Sequence, residues 1–421
     1  MNKVTFPFLP EGYLETILPN GLRLRVIPRK EFAKKYAFLA VDYGAIDMDF
    51  TLNGQTHHTP AGVAHFLEHK MFDMPYGDAM NRFASFGGNP NAFTSHTITA
   101  YYVSCTENLE ENLRTLTEMV FTPCFSQKSV DKEQGIIAEE IRMYRDNAET
   151  RVYENLFSAM FHQNPVRIPV IGTEESIKTI TAETLRQCHK AFYTPANAML
   201  CVMGDVDADD ILRWTLDSTP ATSGQKATPL YPQEPNSVAS ARIEDHIEVS
   251  MPTFVAGFKG VPATGKHAMK QEFTLDLAAD CLLGTSAPLY TDLYEKGLID
   301  GSFSAGFEGM KGVGIFTFGG DSRNPQAVTE SILRAVEELG HTGMDTAQFQ
   351  RQKKATMGRR LRDLDGFENG CYRSAEYLFQ GGEYFDFYEV MESITEDDVL
   401  LALTTLVREE NLCLSLIHPI R

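Results

Sequence analysis

The sequence predicts an α+β protein built from two similar halves, each an antiparallel sheet packed by helices. Three observations carry this reading. Asn20-Gly21 stands between two runs of alternating apolar character, a hairpin signature. Leu109, Leu113, Leu116 and Met119 recur at helical spacing, as do Val130, Ile137, Ile141 and Tyr144. Finally, residues 111–146 and 330–365 share one plan, in which an apolar helix runs through a short Thr-containing turn into a second long helix. That points to a duplicated unit.

Along the chain, residues 35–46 read as a third strand after the hairpin. A helix follows near residues 60–72 and a short one at 78–86. The segment from Asn91, rich in Thr and aromatics, reads as a strand pair. The stretch 223–240 is poor in apolar residues and holds three prolines, so it reads as a linker between domains 1–222 and 241–421.

The composition excludes several classes. Of 421 residues, 43% are hydrophobic and 23% charged, which is ordinary globular usage rather than disordered, collagenous or coiled-coil. The net charge of −19 argues against nucleic acid, whose phosphates need an excess of Lys and Arg. The opening residues carry no apolar h-region, so no secretory signal is expected, and no stretch is long and apolar enough to span a membrane. Seven scattered cysteines without a CxxC pair predict free thiols in a reducing, cytoplasmic compartment.

The chemistry is concentrated in His65-Phe66-Leu67-Glu68-His69. On a helix, positions four apart share a face, so both imidazoles can grip one ion while Glu68 projects beside them. Neutral imidazole suits zinc, and a carboxylate off the metal can act as general base. This is the inverted HxxEH order of a zinc hydrolase, with an incidental histidine pair on an amphipathic helix as the plain alternative. Gly62 and Ala64 are small, and Phe66, Leu67 and Met71 can anchor the helix. Such a site needs a third protein ligand. In the stretch from Asp131 to Asn147, Glu133 and Glu140 are two turns apart, on the stripe of Ile137 and Tyr144. Burying carboxylates there is costly unless a cation faces them. Glu140 is the expected ligand, and Glu133 the carboxylate that supports the ligands from behind. Glu139, one position away, is expected to be solvated. Spacing alone leaves a solvated charged face as the alternative.

The segments LPNGLRLRVIPR, DYGAIDMDF, GVAHFLEHKMF, FGGNPNAFTSHTITAYYVS, VDKEQGIIAEEIRMY, GTEESI and FYTPANAMLCVMGDV run in order over most of residues 15–206. Together they resemble the inverted-motif zinc peptidases of the pitrilysin and insulysin family, closest to small bacterial members related to the mitochondrial processing peptidase. The second half resembles that family more loosely. The resemblance implies one zinc per chain on His65, His69 and Glu140, with Glu68 as base and Glu133 as supporting glutamate. It implies that Asn91, Ala92, Phe93 and Thr94 form an edge strand that pairs with an extended peptide, by main-chain hydrogen bonding that demands no particular sequence. It also implies half of a clamshell chamber of four domains. The family's Arg and Tyr of the second half fall here on Pro288 and near Asp300. A heterodimer with a paralogue that supplies Arg and Tyr is therefore expected, with a homodimer as runner-up. Relatives that keep the fold as non-catalytic subunits provide the rival reading.

Other motifs are weak. Residues 260–266 begin like a phosphate loop, but His267 replaces the hydroxyl residue and Pro262 removes an amide, so a surface loop is expected. His57-His58 reads as an exposed loop, and His96 as an ordinary exposed strand histidine. The C-terminal aromatics of EYLFQGGEYFDFYEVM read as packing.

Overall fold

The computed structural model describes residues 1–420, except the side chains of Pro10 and Glu11. The chain forms two compact units. The first comprises Met1–Ile141, Pro169–Tyr231 and Leu361–Phe379; the second comprises Arg142–Ile168, Pro232–Arg360 and the chain from Gln380. Each unit therefore takes a helix from the other half of the sequence.

The first unit is built on a sheet of seven strands. Their spatial order is Asn2–Phe6, Leu9–Ile17, Arg23–Pro28, Ala198–Gly204, Lys35–Val41, Thr99–Cys105 and Asn89–Thr94. All neighbours are antiparallel except Ala198–Gly204 against Arg23–Pro28. Ala198–Gly204 is buried at every residue, as a strand covered on both faces must be. One face carries the main core, with Leu39, Phe66, Leu67, Tyr101, Leu113 and Leu116 in it. Helix Phe367–Phe379 packs on the other face, where Tyr372 meets Phe93. The Asn20-Gly21 hairpin is present, but its turn is wider than two residues, since Ile17 pairs with Arg23. Asn20 is diverted to hold Thr219 Oγ1 and Pro220 O, at 3.0 and 2.7 Å.

The second unit holds five strands in the order Arg242–Ile247, Leu412–Pro419, Thr253–Gly260, Val313–Asp321 and Ser304–Met310. Here too the first pair is parallel and the rest antiparallel. This is the order and sense of the last five strands of the first sheet. The exchanged helices correspond as well: Ala148–Met160 packs on the second sheet as Phe367–Phe379 packs on the first. Backbone topology thus displays the duplication that the sequence only suggested.

Some local expectations change. His57-His58 lies in a strand, Gln55–His58, paired with Asp49–Leu52 through Asn53-Gly54, both at positive φ. That is the Asn-Gly hairpin signal once more. His96 sits in the turn after Thr94 rather than on a strand, and burial lowers its pKa to about 4. All seven cysteines are free, and Tyr377, Tyr384, Phe385 and Phe387 are buried. No helix among the described residues is long and apolar enough to cross a membrane.

One buried ion pair ties the second unit together. Glu234 accepts from the backbone N–H groups of His162, Gln163 and Asn164, each at 2.8 Å, and from Lys259 Nζ at 2.6 Å. The Lys259 side chain is only 4% exposed. Burial alone would raise the Glu234 pKa, but Lys259 and the three amides outweigh it and hold it at about 2. Glu234→Gln should cost roughly 3–5 kcal/mol at neutral pH, because the buried ammonium keeps the neutral carbonyls of Met160 and Ser237 but loses its counter-charge. The contribution of Glu234 is complete above its ordinary carboxylate range and is lost as pH falls towards about 2. Denaturant unfolding of both proteins at several pH values checks this; an equal gap at pH 7 and pH 2.5 would refute it.

Candidate metal centre

The motif helix, Val63–Lys70, begins at Gly62, whose φ is 87°. A Cβ there would meet Ile171 O at 2.5 Å, so only glycine lets the helix start so close to the 171–176 turn. Ser176 Oγ donates to Ala61 O at 2.9 Å and fixes the same junction. Phe66 and Leu67 are fully buried and Met71 nearly so, which locks the rotation of the helix. His65, Glu68 and His69 are thereby aimed at a second helix, Gln127–Arg145. That helix is anchored by Val130 and Ile137, both fully buried, and by Gln134 Nε2 donating to Ile180 O at 3.0 Å. Tyr144, expected on the apolar stripe, is instead exposed; Glu139 is exposed, in line with the expectation of a solvated side chain.

The structure brings His65, His69 and Glu140 together, with one ligand atom from each within 4.8 Å of the others. His65 Nε2 lies 3.7 Å from Glu140 Oε1, and His69 Nε2 lies 3.6 Å from Glu140 Oε2. A tetrahedral ion with bonds of about 2.1 Å spaces its ligands roughly 3.4 Å apart, so the donor set fits zinc. Behind it, His69 Nδ1 meets Glu133 Oε1 at 3.1 Å. Glu68 stays clear of the cluster and accepts from Thr94 Oγ1 at 2.7 Å.

The electrostatics agree with this geometry. Burial, and then His69, hold His65 down at about 3, against a pull from Glu133, so its imidazole is neutral and has a lone pair to offer. Burial raises Glu68, with Glu140 adding to it and Thr94 and His69 opposing. Burial also raises Glu140, against His69. Glu133 is lowered, first by its bond to His69 and then by Lys70, against burial. Burial pulls His69 down, but Glu133, Glu68 and Glu140 outweigh it and raise it. Glu68, Glu133 and Glu140, together with Asp73 on Lys70, outnumber the one buried ammonium, and a divalent ion would offset that excess of negative charge.

Asn89–Thr94 is the terminal strand of its sheet. Asn91 is exposed, and its Oδ1 accepts from Ala92 N–H at 2.9 Å. The Phe93 ring turns towards Phe38, Tyr102 and Tyr372, while Thr94 points to Glu68 on the opposite face. Sequence reasoning did not foresee Thr94 as a donor to Glu68. It also missed Lys70, whose Nζ meets Ser129 Oγ at 2.5 Å, Glu133 Oε2 at 3.2 Å, and Asp73. The signal was available: Lys70 falls on the buried stripe of Val63, Phe66 and Leu67.

An HxxEH helix facing a carboxylate on a second helix is the donor set of a hydrolytic zinc centre. Comparison with known proteins agrees. Residues 53–174 match the insulinase domain of peptidase family M16, and residues 179–356 match the domain described as the M16 inactive domain. The chain is 36% identical to the uncharacterized zinc protease YmfH of Bacillus subtilis strain 168, over 94% of each chain. A crystal structure of an M16-like peptidase from Alicyclobacillus acidocaldarius superposes with a TM-score of 0.94 at 33% identity, covering 100% of both chains. A chain of complex III2 from Candida albicans shares the fold alone, with TM-score 0.76 at 13% identity over 96% of this chain and 95% of that one. The chain belongs to peptidase family M16, the insulinase family.

Gly62→Ala should destabilise the first unit by about 1–3 kcal/mol, through the strained φ and the contact with Ile171 O. Chemical unfolding would measure it; an unchanged midpoint would show that the helix start tolerates a side chain.

Proposed function

We propose that this chain is a zinc metalloendopeptidase subunit that hydrolyses peptides bound as an extended strand. The observation that carries the reading is the His65–His69–Glu140 cluster with Glu68 beside it but not part of it. His65, His69 and Glu140 would hold one zinc ion per chain, with Glu133 orienting His69. Bound there, zinc supplies Lewis-acid polarisation of the scissile carbonyl and makes water more acidic. Glu68 removes the proton of the attacking water and delivers it to the leaving amine. Thr94 holds the Glu68 carboxylate in place, and the main chain of Asn91 to Thr94 offers a sheet edge to the substrate.

The active site is shared with a partner chain, and the setting is cytoplasmic. The positions that correspond to the family's Arg and Tyr offer no equivalent donor. Pro288 opens a helix, and Asp300 Oδ1 is taken up by the Ser302 N–H and hydroxyl, at 2.8 and 2.6 Å. A paralogue would supply the donors that stabilise the oxyanion; a homodimer would lack them. The rival reading is a non-catalytic subunit, favoured by the inactive-domain match and by the fold shared with a complex III2 chain. Zinc content separates the two: the peptidase reading expects about one ion per purified chain.

Glu68→Gln should retain zinc while peptide hydrolysis falls by roughly 10²-fold or more. His65→Ala and His69→Ala should lose the metal. Near-normal turnover in Glu68→Gln would remove this residue from the mechanism. Turnover should appear or rise on mixing with the paralogue, and full turnover by the chain alone would overturn the shared site.

A further inference from the structure

We infer that Lys70 is a positioning residue for the metal centre, acting through Glu133 to fix the His69 imidazole as a ligand. The inference rests on the zinc reading above and on a chain of contacts. Both Glu133 oxygens are committed: Oε1 to His69 Nδ1 at 3.1 Å and Oε2 to Lys70 Nζ at 3.2 Å. A carboxylate held at one oxygen can swing about its terminal torsion, whereas one held at both cannot. Lys70 in turn is fixed by Asp73, just beyond the motif helix, and by Ser129 Oγ at 2.5 Å, one turn before Glu133 on the second helix. Ser129 Oγ also donates to Asp73.

The placement is unusual for a lysine. The Lys70 side chain is 2% exposed, so its ammonium has exchanged water for three protein acceptors. A salt bridge serving stability alone would be as well placed at the surface, where desolvation costs nothing. Buried here, Lys70 sets a positive charge against the glutamate that hydrogen-bonds the His69 imidazole. An ionised Glu133 accepts from Nδ1–H, which leaves the His69 Nε2 lone pair, on the side of Glu140, available to hold a zinc ion. His65 has no such support, since its Nδ1 is buried without a hydrogen-bond partner. The Lys70 relay therefore acts on one ligand of the pair.

The alternative is a strut that merely joins two helices. A double-mutant cycle on the full chain separates the two. Zinc affinity is measured by competition with a chromophoric chelator for wild type, Lys70→Met, Glu133→Gln and the double variant, alongside thermal melting of the metal-free proteins. Lys70→Met should bind zinc about 10-fold more weakly, Glu133→Gln 10- to 100-fold, and the double variant no worse than Glu133→Gln. A Lys70→Met protein that melts early yet binds zinc like wild type would overturn the inference. So would a Lys70→Met loss that persists in full on the Glu133→Gln background. Should Lys70→Met fail to fold, Ser129→Ala removes one acceptor but keeps the charge. It should weaken zinc binding about 3-fold, and only when Glu133 is present; no effect, or one independent of Glu133, would equally overturn the inference. Wild type that takes up no zinc would instead sink the metal reading itself.

Discussion

Negative charge buried under the motif helix is the constraint from which the rest of the first unit follows. Glu140 approaches both motif imidazoles, Glu133 bonds one of them and Glu68 lies close by, and burial raises Glu68 and Glu140 because each would be better solvated elsewhere. A fold keeps such a cluster only if a cation compensates it. Lys70 compensates Glu133, and the space between His65, His69 and Glu140 has the donors and spacing for a metal. The surrounding architecture serves to hold two helices at that separation. The glycine junction at Gly62 fixes where the first helix starts, the apolar anchors Phe66 and Leu67 fix its rotation, and Val130 with Ile137 fixes the second helix.

The second unit shows what becomes of the same helix pair without that cluster. By strand order, Lys266–Leu283 corresponds to the motif helix and Thr346–Asp363 to the helix bearing Glu133 and Glu140. The charges are redistributed. Carboxylates now sit on the first helix and guanidinium groups on the second: Arg360 meets Asp276 at 2.9 Å and Glu272 at 3.5 Å, and Arg359 bonds Asp280. Thr356 Oγ1 adds a bond to Asp280 at 2.9 Å. Fixed cations of the protein do here what a bound ion would do in the first unit. A guanidinium set between two carboxylates supplies their counter-charge, so these carboxylates need no metal to balance them.

The difference between what the sequence disclosed and what it concealed is one of range. HxxEH is legible because the α-helix sets the relative position of residues four apart, and Glu133 and Glu140 are legible as carboxylates on an apolar stripe for the same reason. No local pattern reveals that the strand Ala198–Gly204 inserts between Arg23–Pro28 and Lys35–Val41, which are consecutive in the sequence. That choice, and the exchange of Ala148–Met160 for Phe367–Phe379, depend on packing between segments far apart in the chain. The width of the Asn20-Gly21 turn was hidden likewise, because Asn20 spends its side chain on Thr219 and Pro220. Lys70 could have been noticed, as a charge in a stripe where charge is expensive, but its partners Asp73 and Ser129 could not.

The two histidines of the motif are held by different physics, and this bears on how the centre is built. His65 is nearly buried, its Nδ1 has no partner, and its ring is oriented by packing alone. An unsatisfied buried nitrogen costs about 1–3 kcal/mol, which the core contacts of the helix must offset. His69 is more exposed, with 26% of its side chain accessible, so packing constrains it less than it does His65. A hydrogen bond to Glu133 adds to its orientation, and that bond is only as firm as the carboxylate that makes it. A relay of Glu133, Lys70, Ser129 and Asp73 behind His69, and none behind His65, is what this asymmetry requires: the ligand nearer to solvent needs a polar scaffold, and the ligand nearer to the core already has an apolar one.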